Sequence, residues 1–158
     1  TCALPISALP RHPASLDDGV PIGDHVETRI DVAYIGACTG AKLDDLRFAA
    51  SVLKGRKVAA GVQLMVAPAS LQDRAQAERE GIMQTLTDAG ASVLPSTCGA
   101  CAGYGDSFAD GQTVISSTAR NFRGRMGPPG TQVFLGSAYT VAASALRGRI
   151  TDPRTVLA

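Results

Sequence analysis

Tryptophan is absent from this 158-residue sequence, and aromatic residues make up only 4% of it. A hydrophobic fraction of 45% must therefore come mainly from aliphatic residues, so the core is expected to consist of Ala, Val, Leu and Ile. A charge excess is also missing, because 15 Lys and Arg face 14 Asp and Glu for a net charge of +1. This balance excludes recruitment of nucleic acid or an anionic membrane by overall charge, so any anion must be recognised locally.

Long apolar segments are also missing. No run approaches the roughly 20 residues of a membrane span, and no basic region precedes the short apolar stretch in TCALPIS. Four cysteines in a chain able to build its own core do not fit a secreted disulfide framework. We therefore expect a soluble, cytoplasmic protein with neither a membrane nor a nucleic acid as partner.

The chain divides into a lead-in and one domain. Residues 1–27 carry four of the nine prolines and are predicted to be an extended lead-in or linker, partly non-native. Residues 28–158 form one α/β domain, since short apolar runs alternate with helical periodicity, as in a parallel sheet. The predicted strands are 31–36, 62–67, 92–95, 113–117 and 132–137. The predicted helices are 41–54, one from Ser70 toward Gly81, one from Ile82 to near Gly90, and 139–146.

Three cysteines follow predicted strands. Cys38 lies in IGACTG, and Cys98 and Cys101 lie in STCGACAGYG. Because the carboxyl ends of parallel strands share one edge of the sheet, the three thiols can face one point. Thiolates select zinc, Cu(I) or an iron-sulfur cluster, and three of them leave one coordination position open. Redox use of the Cys-x-x-Cys pair and inert buried thiols remain alternatives.

An arginine-rich turn, residues 119–125, follows a fourth strand at the same edge. The guanidinium groups of Arg120, Arg123 and Arg125 suit bidentate contact with carboxylates, which suggests a di- or tricarboxylate ligand. The alternative is a solvated surface loop. The two histidines, His12 and His25, lie in the lead-in and receive no role.

Three segments together carry a family resemblance: IGACTGAKLDDLRFAASVLKGRKVA, TCGAC and TARNFRGRMG. In this order and spacing, over residues 29–154, the sequence resembles the aconitase superfamily, in particular the large subunits of 3-isopropylmalate dehydratases. The resemblance implies a three-layer αβα domain with a mostly parallel sheet, like the third domain of aconitase. It also implies a 4Fe-4S cluster on Cys38, Cys98 and Cys101, and substrate carboxylates bound by Arg120 and Arg125.

The resemblance implies a hydro-lyase that reversibly dehydrates a hydroxy di- or tricarboxylate such as isopropylmalate. It further implies that the chain is a portion of such an enzyme, inactive alone. Its partners would be the remaining large-subunit domains and a small, swivelling subunit or domain. No residue of this chain is assigned as the catalytic acid or base.

The sequence departs from the family pattern at two positions. Ala119 stands where the arginine motif usually begins with Asn, and Gly40 follows Cys38-Thr39 where many members have Asn. Neither change touches a cysteine. Two other functions remain as alternatives. One is a noncatalytic zinc-binding structural module using the three cysteines and a fourth ligand such as His25. The other is RNA binding by the cluster-free protein, which the near-neutral charge disfavours.

Overall fold

A five-stranded, all-parallel sheet forms the centre of the protein in a computed structural model that describes residues 7–8, 20–104 and 108–157. Two short strands, β1 (Ser7–Ala8) and β2 (Val20–Pro21), pair antiparallel outside this sheet. The main strands are β3 (Val32–Ile35), β4 (Gln63–Val66), β5 (Ala91–Val93), β6 (Thr113–Ser116) and β7 (Gln132–Leu135), in the spatial order β5-β4-β3-β6-β7. The α/β class and all five strands predicted from the apolar runs are confirmed.

Alternating strand residues give the sheet two buried faces. On one face, Ala33 is in register with Leu64 and Ile115, and all three join the larger apolar cluster with the helices. On the other face, Tyr34 is in register with Met65 and packs in a smaller cluster with Phe108 and Met126. We call these the helical face and the loop face. Burial on both sides explains why these strands are continuous apolar runs without alternation.

Four of the helices lie where the sequence predicts them, with ends within about two residues, and a short fifth helix is not predicted. The helices are α1 (Leu43–Leu53), α2 (Leu71–Arg79), α3 (Ile82–Ala89), α4 (Ala138–Arg147) and the short α5 (Arg154–Leu157). Ser70 caps α2, because its hydroxyl accepts a hydrogen bond of 3.0 Å from the Asp73 amide. The Asp73 carboxylate also accepts the Leu43 amide at 3.1 Å, which joins the starts of α1 and α2.

All five helices contribute buried side chains to the helical face. Leu46, Ala77, Leu86, Val141 and Val156, one from each helix, belong to its cluster. The loop face is covered differently. Its cluster includes Leu94, Ala100, Phe108 and Met126, all from connections between strands. Within the described ranges, the second covering layer of the predicted three-layer arrangement thus consists of loops and a 3-10 helix, Gly99–Ala102.

Part of the predicted lead-in packs on the domain. A 3-10 helix, Ile22–His25, follows β2, and Ile22 is buried in the helical-face cluster. The His25 ring meets the edge of the Phe134 ring, with centroids 5.4 Å apart. His12 and Cys2 lie outside the described residues. Among the helices that the structure describes, none has the length and apolarity needed to cross a membrane.

Candidate functional site

The carboxyl ends of β3 and β6 form the natural crevice of this sheet. After β3 the chain adds β4 and β5 on one side, then returns to add β6 and β7 on the other. The strand order therefore reverses between β3 and β6, and open α/β sheets bind ligands where this happens. Three segments leave this edge: the Cys38 loop (residues 36–40), the Cys98 loop (residues 94–104) and the Arg loop (residues 118–131).

The Cys38 loop is fixed at both ends by Ser117, the residue that follows β6. The Gly36 amide donates to the Ser117 hydroxyl at 3.1 Å, and that hydroxyl donates to the Gly40 carbonyl at 2.7 Å. The Ser117 amide also donates to the Tyr34 carbonyl at 3.0 Å, continuing the β3–β6 pairing. Cys38, midway between the two tied glycines, is exposed.

The Cys98 loop crosses the loop face and turns through the 3-10 helix Gly99–Ala102. Cys98 is exposed and Cys101 is half-buried. Cys98 is the residue before this 3-10 turn and Cys101 lies within it, so the turn determines the backbone between the two thiols. An apolar cavity of about 220 Å³ lies beside this turn and is lined by Tyr34, Met65 and Ala100, among others.

Tyr34 connects the first two loops. A Cβ placed on Gly36 would lie 2.8 Å from the Tyr34 hydroxyl, and one placed on Gly99 would lie 4.0 Å from it. The hydroxyl is buried and has no hydrogen-bond partner in the described part of the chain. Burial, with smaller contributions from the charges of Cys101 and Cys98, raises the pKa of Tyr34 to about 12. A neutral phenol therefore lies near Gly99, the residue that follows Cys98.

The Arg loop is held against the Cys98 loop and β7. The side-chain amide of Asn121 donates to the Val133 carbonyl at 2.8 Å. The Cys98 loop passes so close to the Arg loop that a Cβ on Gly103 would lie 2.7 Å from the Arg125 carbonyl oxygen. Arg125 is half-buried, and its Nε has no partner among the residues described. Arg120 is exposed, and Arg123 donates to the Pro129 carbonyl at 3.0 Å.

The predicted site residues thus share one edge of the sheet, but they do not all meet. The Tyr34 hydroxyl lies near Gly99 in the Cys98 loop and near Gly36 in the Cys38 loop. Within residues 7–8, 20–104 and 108–157, no three His, Cys, Asp or Glu side chains converge closely enough to hold a metal ion. His25 packs on Phe134 of the helical face, whereas Tyr34 belongs to the loop face. His25 therefore does not join the cysteines.

Sequence reasoning misses the contacts that two residues make in the site, although Ser117 itself is among the polar residues that could supply neutral hydrogen bonds. Tyr34 occupies an apolar strand position, so the pattern predicts only a core residue. Ser117 lies among polar residues at a strand end, which are common in turns. The contact of Ser117 with Gly36 can be predicted only once the pairing of β3 with β6 is known, because the two residues lie 81 positions apart along the chain.

Comparison with known proteins agrees with these features. A sequence model of the aconitase family (aconitate hydratase) matches residues 12–148. The chain is 47% identical over 142 residues to a 3-isopropylmalate dehydratase large subunit of Mycolicibacterium smegmatis, covering 89% of this chain and 34% of that protein. The corresponding protein of Nautilia profundicola is 46% identical over 95% of this chain and 35% of its own length.

An archaeal relative has a similar level of identity. The 3-isopropylmalate dehydratase large subunit 2 of Archaeoglobus fulgidus is 44% identical over 92% of this chain and 35% of its own length. The chain thus spans about a third of the curated relatives it matches. Since the family match extends across both cysteine segments and the arginine turn, the chain belongs to the aconitase family.

Proposed function

We propose that this chain is the cluster-holding part of an iron-sulfur hydro-lyase that acts on a hydroxy di- or tricarboxylate. The observation that carries the proposal is the meeting of three segments at the β3–β6 switch point. Ser117 joins the Cys38 loop to β6, Tyr34 adjoins both cysteine loops, and Gly103 contacts Arg125. These contacts bring the backbones of the two cysteine loops and the Arg loop together, which supports a shared site for the thiols and the guanidinium groups.

The donor chemistry of the residues present suits a thiolate-bound iron-sulfur group. Cys38, Cys98 and Cys101 form no disulfide in the described structure, so three soft donors are available at one edge. The glycines at positions 36 and 99 allow the backbone to pass close to the Tyr34 hydroxyl. Among the residues that the structure describes, that hydroxyl is a buried donor without a partner, and its position near Gly99 suits it to hydrogen-bond a thiolate sulfur.

When bound, a 4Fe-4S cluster held by three cysteines supplies a Lewis-acidic iron with an open coordination position. The chain itself contributes binding and orientation. We assign Arg120, which is exposed, and Arg125, whose Nε has no partner among the described residues, to substrate carboxylates. Each guanidinium presents two parallel N–H groups that match both oxygens of a carboxylate.

The names of the relatives support a proposal for the substrate class and the partners. They are named 3-isopropylmalate dehydratase large subunits, and this chain matches about a third of each. We propose isopropylmalate or a similar hydroxy acid as substrate, and the other large-subunit domains with a small subunit as partners. The groups that transfer protons would then come from those partners, so this chain alone is expected not to turn over substrate.

The test is anaerobic reconstitution of the chain with iron and sulfide, with zinc offered in parallel. Iron and sulfide bound in equal amounts, with a three-iron electron-paramagnetic signal after mild oxidation, would support the proposal. Stoichiometric zinc without iron uptake would instead support the zinc-binding module. Within the assembled enzyme, Arg120→Ala should lower kcat/KM about 10- to 100-fold, the loss expected for a charge-assisted carboxylate contact. Unchanged kinetics would remove Arg120 from the site.

A further inference from the structure

Ser117 has more contacts with the Cys38 loop than any turn role requires. Its hydroxyl accepts from the Gly36 amide at 3.1 Å and donates to the Gly40 carbonyl at 2.7 Å, with the Gly36 carbonyl at 3.3 Å. A serine hydroxyl has one proton to donate, so the shorter contact takes it, and the Gly36 amide occupies a lone pair. The hydroxyl of one side chain thus bridges the first and last residues of segment 36–40.

Gly40 has no room for a side chain because of the same residue. A Cβ at this position would lie 1.9 Å from the Ser117 carbonyl oxygen and 2.7 Å from its hydroxyl oxygen. The clash is with backbone, which cannot rotate away as a side chain does. This sequence departs from many family members at Gly40. Here the close approach of Ser117 requires a residue without a side chain at that position.

We infer that Ser117 is the positioning residue of the Cys38 loop, its hydroxyl holding both ends of residues 36–40 so that Cys38 is presented to the site in one place. Cys98 and Cys101 need no such tie, since a 3-10 turn determines the backbone between them. Cys38 is the lone thiol from its loop, and ordering a free loop on binding costs conformational entropy. The identity of the bound group as a cluster rests on the proposed function. The hydrogen bonds of Ser117 to the loop do not depend on it.

The hydrogen bonds between Ser117 and the Cys38 loop can be tested in the metal-free protein. Amide exchange at Gly36 is followed by NMR in the metal-free protein for wild type, Ser117→Ala, Ser117→Thr and Ser116→Ala. Loss of the hydroxyl should speed Gly36 exchange about tenfold, the effect of one to two hydrogen bonds. Ser117→Thr keeps a hydroxyl and should restore protection. Ser116→Ala is the matched control, because the Ser116 hydroxyl bonds to Thr118 and not to the loop.

The consequence for the cluster is tested on reconstituted protein. Iron release to a chelator should be about tenfold faster for Ser117→Ala than for Ser116→Ala, with Ser117→Thr close to wild type. Equal rates for all variants, or unchanged Gly36 exchange, would overturn the inference. If wild type bound no iron, the proposed function would fail, while the exchange data would still decide whether Ser117 holds the loop.

A second variant tests the match between Ser117 and Gly40. Gly40→Ala should displace the loop and remove Gly36 protection, while Gly23→Ala, whose added Cβ meets nothing within 4 Å, should leave it unchanged. The melting temperatures of both are measured alongside. If Gly40→Ala kept full protection at Gly36, the steric half of the inference would be wrong.

Discussion

The two faces of the sheet are built by different means. On the helical face, all five helices pack aliphatic side chains such as Leu46 and Val141, both fully buried, into one cluster. On the loop face, connections between strands cover a smaller cluster. Among the described residues, the three buried polar atoms without partners, on Tyr34, Ser96 and Arg125, all lie on the loop face or in its covering segments. In the described structure, the helical face thus holds the larger apolar cluster, and the unpartnered buried polar side-chain atoms are on the loop-face side.

This contrast predicts a large loss of stability from cavities on the helical face. Leu46→Ala should lower the free energy of unfolding by about 2–5 kcal/mol, because Leu46 is fully buried among rigid helices. Met126→Ala, in the loop-face cluster, should fall at the low end of that range, since loops can relax into the space. Leu71→Ala is the surface control, at 75% exposure. Urea unfolding measures all three, and an equal loss for Met126→Ala would break the contrast.

The contact between the Cys98 and Arg loops predicts a smaller effect. Gly103 and Gly111 have similar φ angles, +75° and +78°, so alanine at either carries about the same backbone cost of 1–2 kcal/mol. Only at Gly103 would the new Cβ meet backbone, the Arg125 carbonyl at 2.7 Å. Gly103→Ala should therefore cost about 1–3 kcal/mol more than Gly111→Ala. Equal thermal unfolding of the two variants would show that the loops are not in contact.

The unpartnered Tyr34 hydroxyl predicts a change of opposite sign. Tyr34→Phe removes a buried polar group that has no hydrogen-bond partner in the described structure, so it should leave stability unchanged or raise it by about 1 kcal/mol. Chemical denaturation of the cluster-free protein measures this change. A clear loss of stability would mean that the hydroxyl has a partner in solution.

The same hydroxyl predicts a pH dependence. Its pKa is raised from 10.0 to about 12, so the folded protein holds this proton more tightly than the unfolded chain. Ionisation of Tyr34 therefore costs the folded state nothing below pH 10. As pH rises from 10 toward 12, the free energy of unfolding falls, because the unfolded chain loses this proton first. Unfolding of the cluster-free protein at pH 9 and about pH 11 should show a steeper loss for wild type than for Tyr34→Phe. Parallel losses would contradict the assigned pKa.

Local patterns predict the elements well because each depends on nearby residues. The run 31–36 predicts β3 within two residues of its observed bounds, Val32–Ile35, and Ser70 marks the start of α2. The placement of all three cysteines after strands likewise follows from the apolar runs. The features that the sequence does not predict depend on which distant strands pair and in what register. The Ser117–Gly36 bond requires β3 to lie beside β6, and the loop covering of one face requires knowing how the connections fold back.

The most direct test of the account is the iron and sulfide content of four single variants after anaerobic reconstitution: Cys38→Ser, Cys98→Ser, Cys101→Ser and Cys2→Ser. Cys2, which lies in the predicted lead-in and outside the described residues, is the matched control. The account predicts about four iron and four sulfide per chain for Cys2→Ser and loss of the intact cluster from the other three. A full cluster in Cys38→Ser would contradict it, because the β3 and β5 loops would then not share one centre.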